Sequence, residues 1–161
     1  MLPEALADHQ TALDIDQRFS GAIVDGRKES DGPVIYIDPA QIVDVCSWLK
    51  ENGAFEQLAG VTAVDWWPRV PRFELVYLLH SYGRNARERL VMRVAEGQMV
   101  DSLCPVWRGA NWYEREVFDL FGISFCSHPN LERIMMPVDW EGHPLRKDYP
   151  VHGYKYSYQD E

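Results

Sequence analysis

By residue type, chemistry in this chain falls to Glu116 and Asp119, three apart, and to His128, His143 and His152 downstream. Oxygen and imidazole ligands of this kind hold zinc or iron, and a carboxylate beside a histidine is a common acid–base pair. The spacing speaks against both. No Glu-x-x-His or His-x-x-x-His pair is present, and Glu-x-x-Asp is common in helices of every kind. Proline forces its predecessor out of the α region, so His128-Pro129 and His143-Pro144 set backbone direction and leave the imidazoles to tether loops. A free-standing metal-dependent hydrolase stays as the reading from another class, separable by metal analysis of the purified chain.

A second chemistry is recognition. At helical spacing Trp112, Arg115, Glu116 and Asp119 share one face, with Tyr113, Val117, Leu120 and Phe121 on the other. Arg115 and Asp119, four apart, can pair on that helix. A solvated face with an ordinary ion pair accounts for the charges but not for Trp112 among them. A desolvated contact with another chain uses both. Further on, Arg133, Arg146 and Lys147 are donors and Asp139, Glu141 and Asp148 acceptors, interleaved with Trp140, Leu145 and Tyr149. That mixture suits a strip laid over a partner, where arginine bridges carboxylates with two hydrogen bonds.

Other chemistries lack their motifs. Cys46, Cys104 and Cys126 form no Cys-x-x-Cys pair, so they read as small buried hydrophobes in a reducing compartment rather than cluster or zinc ligands. There is no Gly-x-Gly-x-x-Gly fingerprint, phosphate-binding Gly-Lys-Ser/Thr loop or Gly-x-Ser-x-Gly elbow, so NADH, flavin and iron–sulfur clusters are not expected on this chain. A net charge of −9 opposes nucleic-acid binding. No apolar run approaches the roughly 18 residues that cross a bilayer. The opening Met-Leu-Pro-Glu-Ala-Leu-Ala-Asp lacks a basic n-region, so a cytoplasmic chain that meets membranes only through partners is expected.

The elements that must position these residues follow from periodicity. Pro3, Leu6 and Leu13 predict a helix over 3–18. Ala22–Asp25 and Val34–Asp38 predict a hairpin around the polar turn Gly26–Gly32. Asp38 as N-cap, Pro39 in the first turn and Ile42, Val45, Cys46 and Leu49 predict a second helix stopped by Asn52-Gly53. Strands follow over Leu58–Trp66, Arg72–His80 and Glu88–Ala95. The middle one, apolar on both faces at its centre, belongs inside the sheet. A short helix starts at Asn111 with an Asn111–Glu114 capping box and ends at Gly122. This order, helix, two strands, helix, three strands, implies a two-layer α+β domain over residues 1–100. The signature helix and loop, 101–136, pack on it. Residues 137–161, with Trp140, Tyr149, Tyr154, Tyr156 and Tyr158 but few aliphatics, cannot bury enough of themselves to offset ordering costs of about 1–2 kcal/mol per residue. They read as an extended partner-binding arm, mobile when free, that reaches up to roughly 80 Å.

Four linked stretches stand in register: Glu114-Arg115-Glu116-x-x-Asp119, Gly122-Ile123, His128-Pro-x-Leu-x-Arg-Ile134 and Gly142-His-Pro-Leu-Arg-Lys-Asp-Tyr-Pro150. Together they closely resemble the signature region of the C-type, thirty-kilodalton subunit of bacterial respiratory complex I, the proton-translocating NADH:quinone oxidoreductase. The likeness is dense from Trp107 to Pro150, looser from Val61 to Val94 and weak before Gly60. It implies a cofactor-free subunit of the peripheral arm, with FMN, iron–sulfur clusters and quinone on partner subunits. The partners implied are chiefly the D-type, quinone-site subunit and neighbouring cluster-carrying subunits, at the cytoplasmic face of the bacterial inner membrane. Trp112, Arg115, Glu116, Asp119, His128, Arg133, Asp139, Trp140, His143, Arg146, Asp148 and Tyr149 would form the partner interface. The related subunit of a membrane-bound hydrogenase-type complex shares this module, and gene neighbourhood separates the two.

Overall fold

The structure, a computed structural model, describes residues 2–154. After a 3₁₀ turn at Glu4–Leu6 come α1 (Gln10–Arg18), β1 (Ile23–Glu29), β2 (Gly32–Ile37) and α2 (Ile42–Glu51). Next follow β3 (Gln57–Asp65), β4 (Phe73–Ser81), β5 (Ala86–Val94), β6 (Val100–Asp101), α3 (Ala110–Phe121) and β7 (Phe125–Cys126). The five long strands form one sheet in the order β1-β2-β5-β4-β3. Its pairs are antiparallel except β2 with β5, which run parallel. A parallel pair needs a crossover, supplied by α2 and the β3–β4 hairpin.

Alternation along the strands sorts side chains to two faces. Leu75, Tyr77 and Leu79 of β4 and Leu90, Met92 and Val94 of β5 join Ile15 of α1, Val45 and Leu49 of α2 and Val117 and Phe121 of α3 in the main core. On the other face Val34, Tyr36 and Val91 make a small cluster. Arg93 and Arg27 roof it, their guanidinium carbons 4.3 and 5.5 Å from the Tyr36 ring centre. The molecule is thus a two-layer α+β domain, and β4 does lie inside the sheet. Only one of its faces is fully covered, however: Leu78, on the other, is 40% exposed.

Several local expectations need correction. The first helix breaks at His9, where Leu6 ends a 3₁₀ turn in the core and Leu13 points outward. The expected long turn over Gly26–Gly32 is strand almost throughout, because Arg27↔Val34 and Glu29↔Gly32 pair and leave Ser30-Asp31 to turn. Arg89 then pairs with Glu29 and Asp31 from the neighbouring strand, which accounts for the polar residues there. The Asp38 cap on the Ala40 N–H forms as expected, over a 3₁₀ turn that leads into α2. The Asn111–Glu114 capping box does not form: α3 begins at Ala110 after Gly109, with no side-chain cap.

Candidate interaction site

Helix α3 stops where Gly122 enters the left-handed region at φ 74° and its N–H donates to the Phe118 carbonyl. Ala110, Val117 and Phe121 face the core. Outward, Trp112 is 63% exposed and Glu116 is exposed. The Arg115 guanidinium lies 5.2 Å from the Trp112 ring centre. Its Nε–H donates to the Glu132 carbonyl at 3.0 Å. This Trp112–Arg115–Glu116 patch is the face that the helical spacing predicts.

Asp119 does not belong to it. The side chain is fully buried, and the expected Arg115–Asp119 pair is replaced by an ion pair with Arg133 at 2.7 Å. Its second oxygen accepts three consecutive amides, from Ile134 (2.9 Å), Met135 (2.7 Å) and Met136 (2.9 Å). Burial works to raise its pKa, but those amides and Arg133 outweigh it and hold the carboxyl below its ordinary value. Asp119 is therefore the post that fixes the loop after β7.

Glu114 is the other buried carboxylate. It accepts from the Ser102 hydroxyl and the Leu103 N–H, both at 2.6 Å, and from the Cys104 thiol at 3.6 Å. Burial dominates here and raises its pKa despite these donors. Cys104, Glu114 and His128 bring ligand-type atoms within 4.8 Å of one another. The set is nevertheless satisfied by hydrogen bonds. His128 Nε2–H donates to the Asn111 carbonyl at 3.2 Å while Nδ1 accepts from the Asn130 N–H at 3.1 Å. Burial keeps that imidazole below its ordinary pKa, in keeping with one neutral tautomer. The Glu116, Asp119 and histidine combination is not assembled as a metal cluster among the described residues.

The C-terminal stretch departs most from expectation. Asp119, Leu120 and Phe121 end α3 with carbonyls that lack partners within the helix. His143 Nδ1–H reaches the Asp119 carbonyl at 2.9 Å, the Leu145 N–H reaches Leu120 at 3.0 Å, and Arg146 Nε–H reaches Phe121 at 2.6 Å. The His-Pro-Leu-Arg segment thus caps a helix ended some twenty residues earlier, and Arg146 also places a cation at the negative end of its dipole. Gly122 is required twice, for its positive φ and because a Cβ there would lie 2.6 Å from both Arg146 and His143.

Beyond that cap, Asp148 meets Arg72 through two hydrogen bonds of 2.6 and 3.0 Å. Arg72, only 4% exposed, also pairs side-on with Asp65 at 2.8 and 2.9 Å and with Glu96 at 3.0 Å. Asp65 further accepts the Lys147 and Trp67 amides, each at 2.9 Å. Burial pushes Asp65 up, but Arg72 and these amides prevail and hold it at about 2. Residues 143–148 are consequently hydrogen-bonded to their own domain in this structure, where a partner surface was expected to hold them. Aliphatic burial, the basis of that expectation, is not what orders this segment: helix-end carbonyls and one buried guanidinium do. Tyr156 and Tyr158 lie outside the described residues.

The predicted interface residues therefore divide. Trp112, Arg115 and Glu116 form one exposed patch, and Asp139, Trp140 and Tyr149 line a separate pocket. Asp119, His128, Arg133, His143, Arg146 and Asp148 are internal tethers. Sequence reasoning missed Asp65, Arg72, Ser102 and the burial of Glu114. A signal existed for the first two, since an acid closing one strand and a base opening the next are neighbours in any hairpin.

Comparison with known proteins places this geometry. The family model described as "Respiratory-chain NADH dehydrogenase, 30 Kd subunit" matches residues 35–155. The NADH-quinone oxidoreductase C-type subunit of Geotalea uraniireducens is 40% identical over 147 residues, 91% of this chain and 90% of that one. Its counterpart from Roseiflexus sp. is 45% identical over 151 residues, covering 89% and 85% of the two chains. The mitochondrial NADH-ubiquinone oxidoreductase 30.4 kDa subunit of Neurospora crassa is 48% identical over 133 residues, 81% of this chain but 47% of that longer one. Among solved structures, a trypsin-resistant fragment (1-134) of Nqo5 superposes with a TM-score of 0.61 at 28% identity, over 66% of this chain and 89% of that one. The helix-capping motif lies inside the matched region, and with these relatives along most of its length the chain belongs to the 30 Kd subunit family of respiratory-chain NADH dehydrogenase.

Proposed function

We propose that this chain is a cofactor-free structural subunit of a proton-translocating NADH:quinone oxidoreductase. It docks beside the quinone-site subunit and its cluster-carrying neighbours in the peripheral arm, at the cytoplasmic face of the membrane. FMN, iron–sulfur clusters and quinone sit on partner subunits, which pass electrons from NADH to quinone, and this chain carries no catalytic residue. The observation that carries the docking reading is Trp112, 63% exposed with Arg115 stacked on it, on a helix whose other side is core. Water gives a large aromatic no benefit, whereas a partner surface takes up both ring and guanidinium. The strong tethering of the surrounding loops supports it, because a rigid patch loses little entropy on docking. No described helix is long and apolar enough to cross a membrane, in keeping with attachment through partners.

Capture of the tagged chain from mildly solubilised membranes tests the proposal. Trp112→Ala and Arg115→Ala should each cost about 2 kcal/mol or more of binding, lower quinone-linked NADH oxidation and leave the melting temperature of the isolated chain nearly unchanged. Intact assembly together with a lowered melting temperature would make this face an internal one. Stoichiometric metal or flavin on the purified chain would overturn the cofactor-free role.

A further inference from the structure

Next to the capped helix end, Pro137, Asp139, Trp140, Glu141, Tyr149 and Tyr154 line a pocket of about 250 Å³. Its walls are set by the tethers already described. Arg133 Nη2–H holds the Gly142 carbonyl at 2.9 Å on one side, and the Asp148–Arg72 pair holds the other. Gly142, at φ 74°, lets the chain turn under the rings: a Cβ there would lie 2.8 Å from Tyr149 and 3.0 Å from Tyr154. The two tyrosine rings meet edge to face, centres 5.3 Å apart.

Two features of this pocket suit a cation from outside the described residues. Asp139 and Glu141 are exposed and have no ion-pair or hydrogen-bond partner among the described residues. The nearby cations are committed elsewhere, Arg133 to Asp119 and Arg146 to Phe121 and Glu96. The Trp140 ring lines the pocket beside the two carboxylates. Aromatic faces attract a cation, and two unpaired carboxylates beside them add to that attraction. An arginine on a partner's loop answers both, and its flat guanidinium matches rings and carboxylates better than an ammonium does.

We propose that the Asp139–Trp140–Glu141 pocket receives an arginine side chain from a neighbouring subunit, its guanidinium laid against the Trp140 ring beside the two carboxylates. This deepens the docking reading above and depends on it for the partner. The test follows the indole N–H signals of the ¹⁵N-labelled full chain, with Trp140 assigned through Trp140→Phe, as acetyl-Gly-Arg-Gly-amide is added. Only the Trp140 signal should move, saturably, at peptide concentrations on the order of millimolar. The double variant D139N/E141Q should weaken that response ~tenfold, and Gly142→Ala should abolish it. Silence at Trp140, or an equal response to the lysine or triglycine peptide, overturns the arginine assignment. In assembly assays D139N/E141Q should lower partner affinity ~tenfold. Unimpaired assembly of that variant, with Trp112→Ala still defective, removes the pocket but spares the docking face. Arginine binding at Trp140 with harmless Trp112→Ala and Arg115→Ala would instead remove the docking face.

Discussion

At the scale of single residues, the two buried carboxylates of α3 behave oppositely because both their depth and their donors differ. Asp119 has a guanidinium and three amides, and its pKa falls; Glu114 has a hydroxyl, one amide and a thiol, and burial wins. Asp119→Ala strands Arg133 and three amide N–H groups in the interior, so about 3 kcal/mol of stability should be lost, read as a fall in denaturant midpoint. For Glu114 the sign runs the other way. A carboxyl whose folded pKa lies above its unfolded value favours folding most below that unfolded value, and stability declines as pH rises through the folded one. Glu114→Gln should flatten that decline above pH 4.5, the ordinary carboxyl value, in stability-versus-pH curves. A steeper decline in the variant would mean that the ionised form is the stabilised one.

At the scale of elements, α3 and the segment after Gly142 are one unit despite their separation in the chain. The helix supplies three carbonyls without partners, and the segment supplies an imidazole, an amide and a guanidinium. Gly122→Ala forces a Cβ into His143 and Arg146 at a left-handed position, so it should cost about 1–2 kcal/mol and loosen the cap. Backbone amide exchange reports this directly. Leu145 and Lys147 should exchange slowly in the isolated wild-type chain and much faster in the variant. Fast exchange in the wild type would mean that the cap forms only in the assembled complex.

At the scale of the whole molecule, Arg72 joins the sheet to the last described turns of the chain. Asp65, held at about 2 against an ordinary 3.8, contributes stability that is fully present above pH 4 and is lost as the pH falls toward 2. That shift corresponds to about 2 kcal/mol. Acid unfolding should therefore steepen between about pH 4 and 2, and Asp65→Asn should remove that portion of the curve. Deletion of residues 143–161 should likewise destabilise the α+β domain itself, seen as a lower melting temperature, rather than only prevent assembly. An unchanged melting temperature would return the segment to the role of a free arm.

The amino-acid sequence by itself determined the types and order of the longer elements, the α+β class, the interior place of β4, the Gly122 stop and the outward placing of Trp112 and Glu116 on α3. All of these rest on alternation, helical spacing and turn residues within a few positions of one another. The family, too, was legible, because its motif residues stand in register along the chain. Only the tertiary structure decided that Asp119 faces inward, that Glu114 binds the Ser102 turn instead of capping its helix, and that Asp148 holds Arg72 across 76 positions. A side chain's charge is written in the sequence, but whether it meets water, a partner or a distant guanidinium depends on which surfaces the fold brings together. Composition showed that residues after Pro137 lack aliphatic material; it could not show that three helix-end carbonyls and a buried arginine were waiting to order them.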